Sequence, residues 1–242
     1  MDRRWEAVFF DLGGVVLDLT SVARARELFL KRLEATFGVA VADPNETWER
    51  VLGEYFGDRE GSTFRSARKG YERTVNEILG EEVDATSWWP LFVETASEVF
   101  APVDGAPETI HTLDDAGYYL GLISDIDAWE AEYILRLFDV RGCFDDVTTS
   151  EAAGWTKPAP EIFETAIRKA EVDPRQSLYV GDRYEHDMVG GKRAGFRTVA
   201  FRLTADDGTQ SQESGFSVDD PVIDFVIDDI RALLSIVGID AP

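Results

Sequence analysis

Residues 7–17 read AVFFDLGGVVL. Four apolar residues end on one carboxylate, Asp11, and Leu12 then leads into Gly13-Gly14. An apolar run this short that stops at a turn predicts a buried strand. The glycines after it let the backbone approach a ligand closely at the strand's end. Two residues past Asp11, where a second acid would complete a nucleophile and proton-donor pair, stands Gly13.

Working outward, apolar segments at 118–123, 146–149, 177–180, 198–201 and 222–227 predict further strands. Helical patterns at 107–116, 129–138, 160–170, 187–194 and 228–237 lie between and after them. Alternation at this spacing predicts an α/β fold whose parallel sheet is joined by right-handed crossovers. It is interrupted between Asp18 and Phe100, where the pattern is wholly helical: 22–37, 47–56, 63–79 and 87–100. Turn signals at Gly38, Asp43-Pro44, Gly57 and Gly80 separate these helices. The expected organisation is therefore an α/β core of residues 1–18 and 102–242 with a helical cap, 19–101, inserted after the first strand. Residues 206–220, DDGTQSQESGFSVDD, predict a polar surface loop.

The 242 residues, 44% of them hydrophobic, suffice for one substantial core and a smaller appended unit. No apolar stretch reaches the roughly 18 residues that cross a membrane. The chain start runs straight into a strand-like segment, so no signal peptide, no membrane association and a cytoplasmic location are expected. The single cysteine, Cys143, excludes an internal disulfide. With only His111 and His186 beside it, soft-ligand zinc chemistry is a poor fit, and any metal should be hard and oxygen-bound.

The net charge is −23, and Lys occurs only at 31, 69, 157, 169 and 192, Arg supplying the other 19 of 24 cations. Acids are spread along the whole chain rather than blocked into a tail. That favours adaptation to molar salt, a halophilic interior where screening acts over about 3 Å, over a surface built for basic partners. Nucleic acid, which needs a basic footprint, is not an expected partner.

Chemistry gathers at the carboxyl ends of the predicted strands: Asp11 after the first, Ser124-Asp125 after the second, and Gly181-Asp182 with Asp187 after the fourth. Lys157-Pro158 opens a helix just beyond Trp155. In a parallel sheet these ends share one rim, so the carboxylates, a hydroxyl and an ammonium converge. The set suits phosphoryl transfer. Asp11 is the candidate nucleophile. Asp11, Asp182 and Asp187, with the carbonyl of Gly13, are candidate Mg²⁺ ligands. Ser124, Asp125, Gly14 and Lys157 are candidate phosphate contacts, with Ser124 and Lys157 also serving catalysis.

The ordered motifs DLGGV (11–15), LISD (122–125), KP (157–158) and GDRYEHD (181–187) resemble the four motifs of the haloacid dehalogenase (HAD) superfamily. The stretch from Ser124 to Pro158 is especially similar to archaeal HAD phosphatases. The resemblance implies a Rossmann-like, doubly wound core, a helical cap, Mg²⁺ and an aspartyl-phosphate intermediate. A small phosphorylated metabolite is the implied partner, handled by a monomer or homodimer. The sequence departs from the family pattern at Gly13, where most phosphatases carry the Asp that acts as general acid and base, and at Val15, commonly Thr. Three readings follow: an Mg²⁺-dependent phosphomonoester hydrolase with weakened acid/base catalysis, a non-catalytic HAD fold that binds a metabolite or protein, and a metal-independent dehalogenase. Retention of Asp182 and Asp187 disfavours the last.

Other residues read more plainly. Asp18 reads as a helix cap rather than a substitute acid, and His186 as a helix-start residue rather than a base. Arg65, Arg68, Lys69 and Arg73 either meet an anionic substrate or pair with acids along a solvated face. Trp88-Trp89 reads as cap core or as a contact between cap and core.

Overall fold

The computed structural model describes residues 4–39, 42–201 and 220–239, so nearly all of the expected loop 206–220 lies outside the described residues. Six strands form one sheet: β1 (Ala7–Phe10), β2 (Tyr119–Ser124), β3 (Asp146–Thr149), β4 (Ser177–Gly181), β5 (Arg197–Phe201) and β6 (Phe225–Ile227). Their order is β3-β2-β1-β4-β5-β6, and every pairing is parallel. The crossovers include α5 (Ala106–Asp115), α6 (Ala128–Leu137), α7 (Ser150–Ala153), α8 (Pro160–Ala170) and α9 (Gly190–Ala194), with α10 (Ala232–Val237) after β6. This is the Rossmann-like, doubly wound fold expected from the sequence. The winding reverses between β1 and β4, and ligands in such sheets bind beyond the strand ends at that switch point.

The central strands are apolar on both faces because helices cover both. All four residues of β1 are buried, as are all five of β4. Phe9 packs with Ile162, Phe163, Tyr179 and Phe196 under α8 and α9. Burial of this kind contributes about 1.5–3 kcal/mol per large apolar side chain.

The chain divides into two compact units, residues 1–17 with 102–242, and residues 18–101. The second contains α1 (Leu19–Phe37), α2 (Pro44–Gly57), α3 (Ala67–Leu79) and α4 (Trp89–Val99). Its own core joins Phe29, Leu30, Leu33, Trp48, Val75, Ile78 and Leu79 with Trp88, which is fully buried there; Trp89 packs against it. Helix α1 starts three residues before the expected 22 because Asp18 caps it, its carboxylate accepting the Thr20 N–H at 2.8 Å. Asp43 likewise caps α2 at Pro44. Within the basic cluster, Arg65 donates to the Tyr55 and Asp58 carbonyls, and Arg68 lies 4.7 Å over the Trp89 ring. No described helix is long and apolar enough to cross a membrane.

Helix α6 buries an acid. Burial, with Asp127 beside it, pushes the Glu130 carboxyl from its ordinary 4.5 up to about 8. Between those values the folded chain keeps a proton that the unfolded chain has lost. Stability should therefore fall as pH rises from about 4.5 to about 8, by on the order of 5 kcal/mol. Glu130→Gln should flatten that slope and stabilise the chain at pH 9. Urea unfolding at pH 5.5 and 9 checks this; parallel pH trends in the two proteins would show Glu130 already ionised when folded.

Candidate active site

Asp11 sits one residue past β1, its N–H donating to the Val180 carbonyl at 2.9 Å, so the β1–β4 ladder carries it to the switch point. Its Oδ1 accepts the Leu12 N–H at 2.7 Å and lies 2.9 Å from Lys157 Nζ. Oδ2 makes no hydrogen bond among the described residues. Lys157, 1% exposed, also lies 2.7 Å from Asp187 Oδ1, and Asp187 is 0% exposed. Beyond β4, one oxygen each of Asp182, Asp187 and Asp11 fall within 4.8 Å of one another. Asp182 Oδ1 is buried without a hydrogen-bond partner among the described residues.

Two glycines make this approach feasible. Gly14 has φ +73°, and a Cβ there would collide with the Asp182 carboxylate. A Cβ on Gly181 would collide with the Asp187 side chain. Gly13 is half-buried and has no positive φ. The turn sends Leu17 N–H to the Leu12 carbonyl and Gly14 N–H to the Leu17 carbonyl, leaving the Gly13 carbonyl without a backbone donor among the described residues.

Charge dominates the site. Burial lifts the Asp11 carboxyl to about 6 although Lys157 opposes it. Burial, then the charges of Asp11 and Asp187, lift Asp182 to about 8. The Lys157 ammonium is held charged, since Asp11, Asp187 and Asp125 together outweigh its burial. Ser124 ends β2, buried, with its hydroxyl unbonded among the described residues. Asp11, Ser124, Lys157, Asp182 and Asp187 are thus carried by the same strand-end rim.

A family profile described as haloacid dehalogenase-like hydrolase matches residues 5–195. The chain belongs to that family. Among curated relatives, this HAD hydrolase is 28% identical over 244 residues to glyceraldehyde 3-phosphate phosphatase of Methanothermobacter thermautotrophicus, covering 96% of the chain and 99% of the relative. It is 29% identical over 164 residues to bovine haloacid dehalogenase-like hydrolase domain-containing protein 3, a match covering 57% of the chain and only 65% of the relative. In fold it is similar to a HAD phosphatase from Thermococcus onnurineus, with a TM-score of 0.68, 22% identity, and 96% and 98% of the two chains covered.

Several groups of the HAD hydrolase site are not legible from the motifs. Tyr179, fully buried in β4, donates its O–H to Asp187 Oδ1 at 2.8 Å and accepts from Lys157 Nζ at 3.0 Å. Its alternation in the strand marks it as core, which it also is. Asp187 Oδ2 accepts the Arg183 N–H at 2.9 Å, so three of its roughly four acceptor positions are filled. Asp125 has both oxygens engaged, Oδ1 by the Lys157 N–H at 2.8 Å and Oδ2 by His186 Nδ1 at 3.1 Å. Burial raises its carboxyl, but the His186 hydrogen bond and the Lys157 charge bring it below 3.8.

Proposed function

We propose that the protein is an Mg²⁺-dependent hydrolase of small phosphomonoesters that works through a phosphoryl group carried on Asp11. The observation that carries this is the asymmetric setting of Asp11. Lys157 and the Leu12 N–H hold Oδ1, which leaves Oδ2 open among the described residues, and Asp182, whose carboxylate joins the same acid cluster, keeps a buried oxygen unpaired. Two carboxylates with open oxygens, a carbonyl without a donor and no soft ligand make a donor set for a small hard cation. Asp11, Asp182 and the Gly13 carbonyl would hold it, with Asp187 giving at most its one remaining acceptor position. Such an ion, when bound, neutralises phosphate oxygens and the charge that builds up in transfer.

The chain's own groups do the rest. The Asp11 carboxylate attacks phosphorus as the bond to the leaving oxygen breaks, giving an acyl phosphate on Asp11 and a leaving oxygen that takes its proton from solvent. The Lys157 ammonium, placed by Asp187 and Tyr179, offsets the charge of Asp11 and of the phosphate. The Ser124 hydroxyl supplies a donor to a phosphate oxygen. Water then attacks phosphorus, restoring the Asp11 carboxylate and releasing phosphate. A relative matched over 96% of the chain is named a glyceraldehyde 3-phosphate phosphatase, which supports a small phosphorylated metabolite as substrate.

Gly13 gives neither a proton to the leaving oxygen nor a base to the water. A positioned acid/base is worth roughly 10²–10⁴ in rate. Aryl and acyl phosphates, whose leaving groups need little protonation, should therefore be turned over better than alkyl phosphates by a factor in that range. Gly13→Asp should speed alkyl phosphates selectively. Equal rates on both classes in the wild type would mean another resident acid.

Phosphate release from p-nitrophenyl phosphate, acetyl phosphate and glyceraldehyde 3-phosphate, with Mg²⁺ and with EDTA, tests the assignment. Mg²⁺-dependent release is expected. No release from any of them would support a non-catalytic role, and release unaffected by EDTA would contradict the metal.

A further inference from the structure

The polar groups on Asp125 form a strut that neither nucleophile nor metal cluster explains. Lys157 N–H donates to Asp125 Oδ1 at 2.8 Å, and His186 Nδ1 lies 3.1 Å from Asp125 Oδ2. On the far side of the ring, Arg183 Nη2 lies 3.2 Å from His186 Nε2. A guanidinium has only N–H groups to offer, so Nε2 accepts and Nδ1 carries the proton toward Asp125. Three segments distant in sequence meet here: the end of β2, the loop before α8, and a π-helical turn, Tyr184–Val189. The turn bears Asp187 and starts two residues after Asp182, while the loop bears Lys157.

We propose that His186 is a positioning residue: its ring ties the turn carrying Asp187 to Asp125, and through Asp125 to the backbone of Lys157, so that acid and ammonium stay in register beside Asp11. The inference rests on the preceding reading that Lys157, Asp182 and Asp187 serve phosphoryl transfer. The Lys157 ammonium reaches Asp11 and Asp187 at the end of four methylenes, and its aim depends on where its own backbone is held. Asp125 holds that backbone, and His186 fixes the rotamer of Asp125. Partners of this kind, which orient the groups around a metal, typically change metal affinity or activity 10–100-fold when removed.

The test uses the full chain. With only His111 and His186 present, ring ¹⁵N labelling, assigned with His111→Gln, reads the tautomer of His186 directly. Nδ1–H with an unprotonated Nε2 is expected, and the opposite tautomer overturns the strut. Mn²⁺ titration followed by electron paramagnetic resonance should show His186→Leu binding about 10-fold more weakly than wild type. His186→Asn, whose amide N–H stands where Nδ1–H stood, should recover most of that loss. On p-nitrophenyl phosphate the same pattern should appear in kcat, with KM little changed. Wild-type behaviour in His186→Leu, or equal losses in both variants, would overturn the proposal. Should the wild type hydrolyse nothing, the phosphatase reading falls while the tautomer and Mn²⁺ measurements still decide the strut. If His186→Leu fails to fold, the tautomer and His186→Asn carry the test.

Discussion

Asp11→Asn should abolish turnover, with kcat lowered on the order of 10⁴-fold or more, while the fold survives or gains stability. The nucleophile is lost because an amide oxygen cannot form and release an acyl phosphate as a carboxylate does. The fold is spared because Asn keeps an acceptor for the Leu12 N–H and for Lys157. It also removes a charge that burial already disfavours, as the rise of the Asp11 carboxyl to about 6 shows. Phosphate release and urea unfolding on the same preparation separate the two effects. Residual turnover within 10-fold of wild type would mean that another group attacks phosphorus.

Lys157→Met should have the opposite profile, losing both stability and chemistry. The ammonium is 1% exposed and bridges Asp11 at 2.9 Å and Asp187 at 2.7 Å. Methionine fills similar volume but leaves those carboxylates buried and facing each other with no cation. Breaking a buried ion pair from one side typically costs about 3–5 kcal/mol. Urea unfolding in EDTA measures that cost, and turnover in saturating Mg²⁺ should remain undetectable. A variant as stable as wild type would mean that Asp11 and Asp187 are protonated in the folded chain and need no counter-ion.

The sheet was legible because its strands are short apolar runs ending in residues that interrupt them. Ala7–Phe10 stops at Asp11, and Ser177–Val180 stops at Gly181-Asp182, so strand and rim are written in one stretch. The parallel order then brings Asp11 and Asp182 together without further information. Boundaries were less legible where side chains rewire the backbone. The expected helix at 228–237 begins only at Ala232, because Asp229 Oδ1 accepts the Arg231 N–H at 2.9 Å in a turn of its own. The expected helix at 187–194 begins earlier as a π-helical turn, in which Asp187 Oδ2 takes the Arg183 N–H.

Pairings across long sequence separations were not legible at all. Asp125 reads as a residue beside a phosphate-binding serine, yet its oxygens go to groups 32 and 61 residues away. Tyr179 reads as one more apolar strand residue, and only the folded chain shows its hydroxyl between Lys157 and Asp187. Motif spacing says which groups reach the rim. It does not say which oxygen of each carboxylate is left open, and that decides which acid attacks, which holds a cation and which positions the lysine.

The central claim is that phosphate passes through Asp11. Acid-quenched mass spectrometry of the protein during turnover of acetyl phosphate with Mg²⁺ tests it most directly. The account predicts one added phosphoryl group, mapping to the peptide that contains Asp11 and absent in EDTA and in Asp11→Asn. Turnover with the phosphoryl group on another residue, or undiminished in Asp11→Asn, would contradict it.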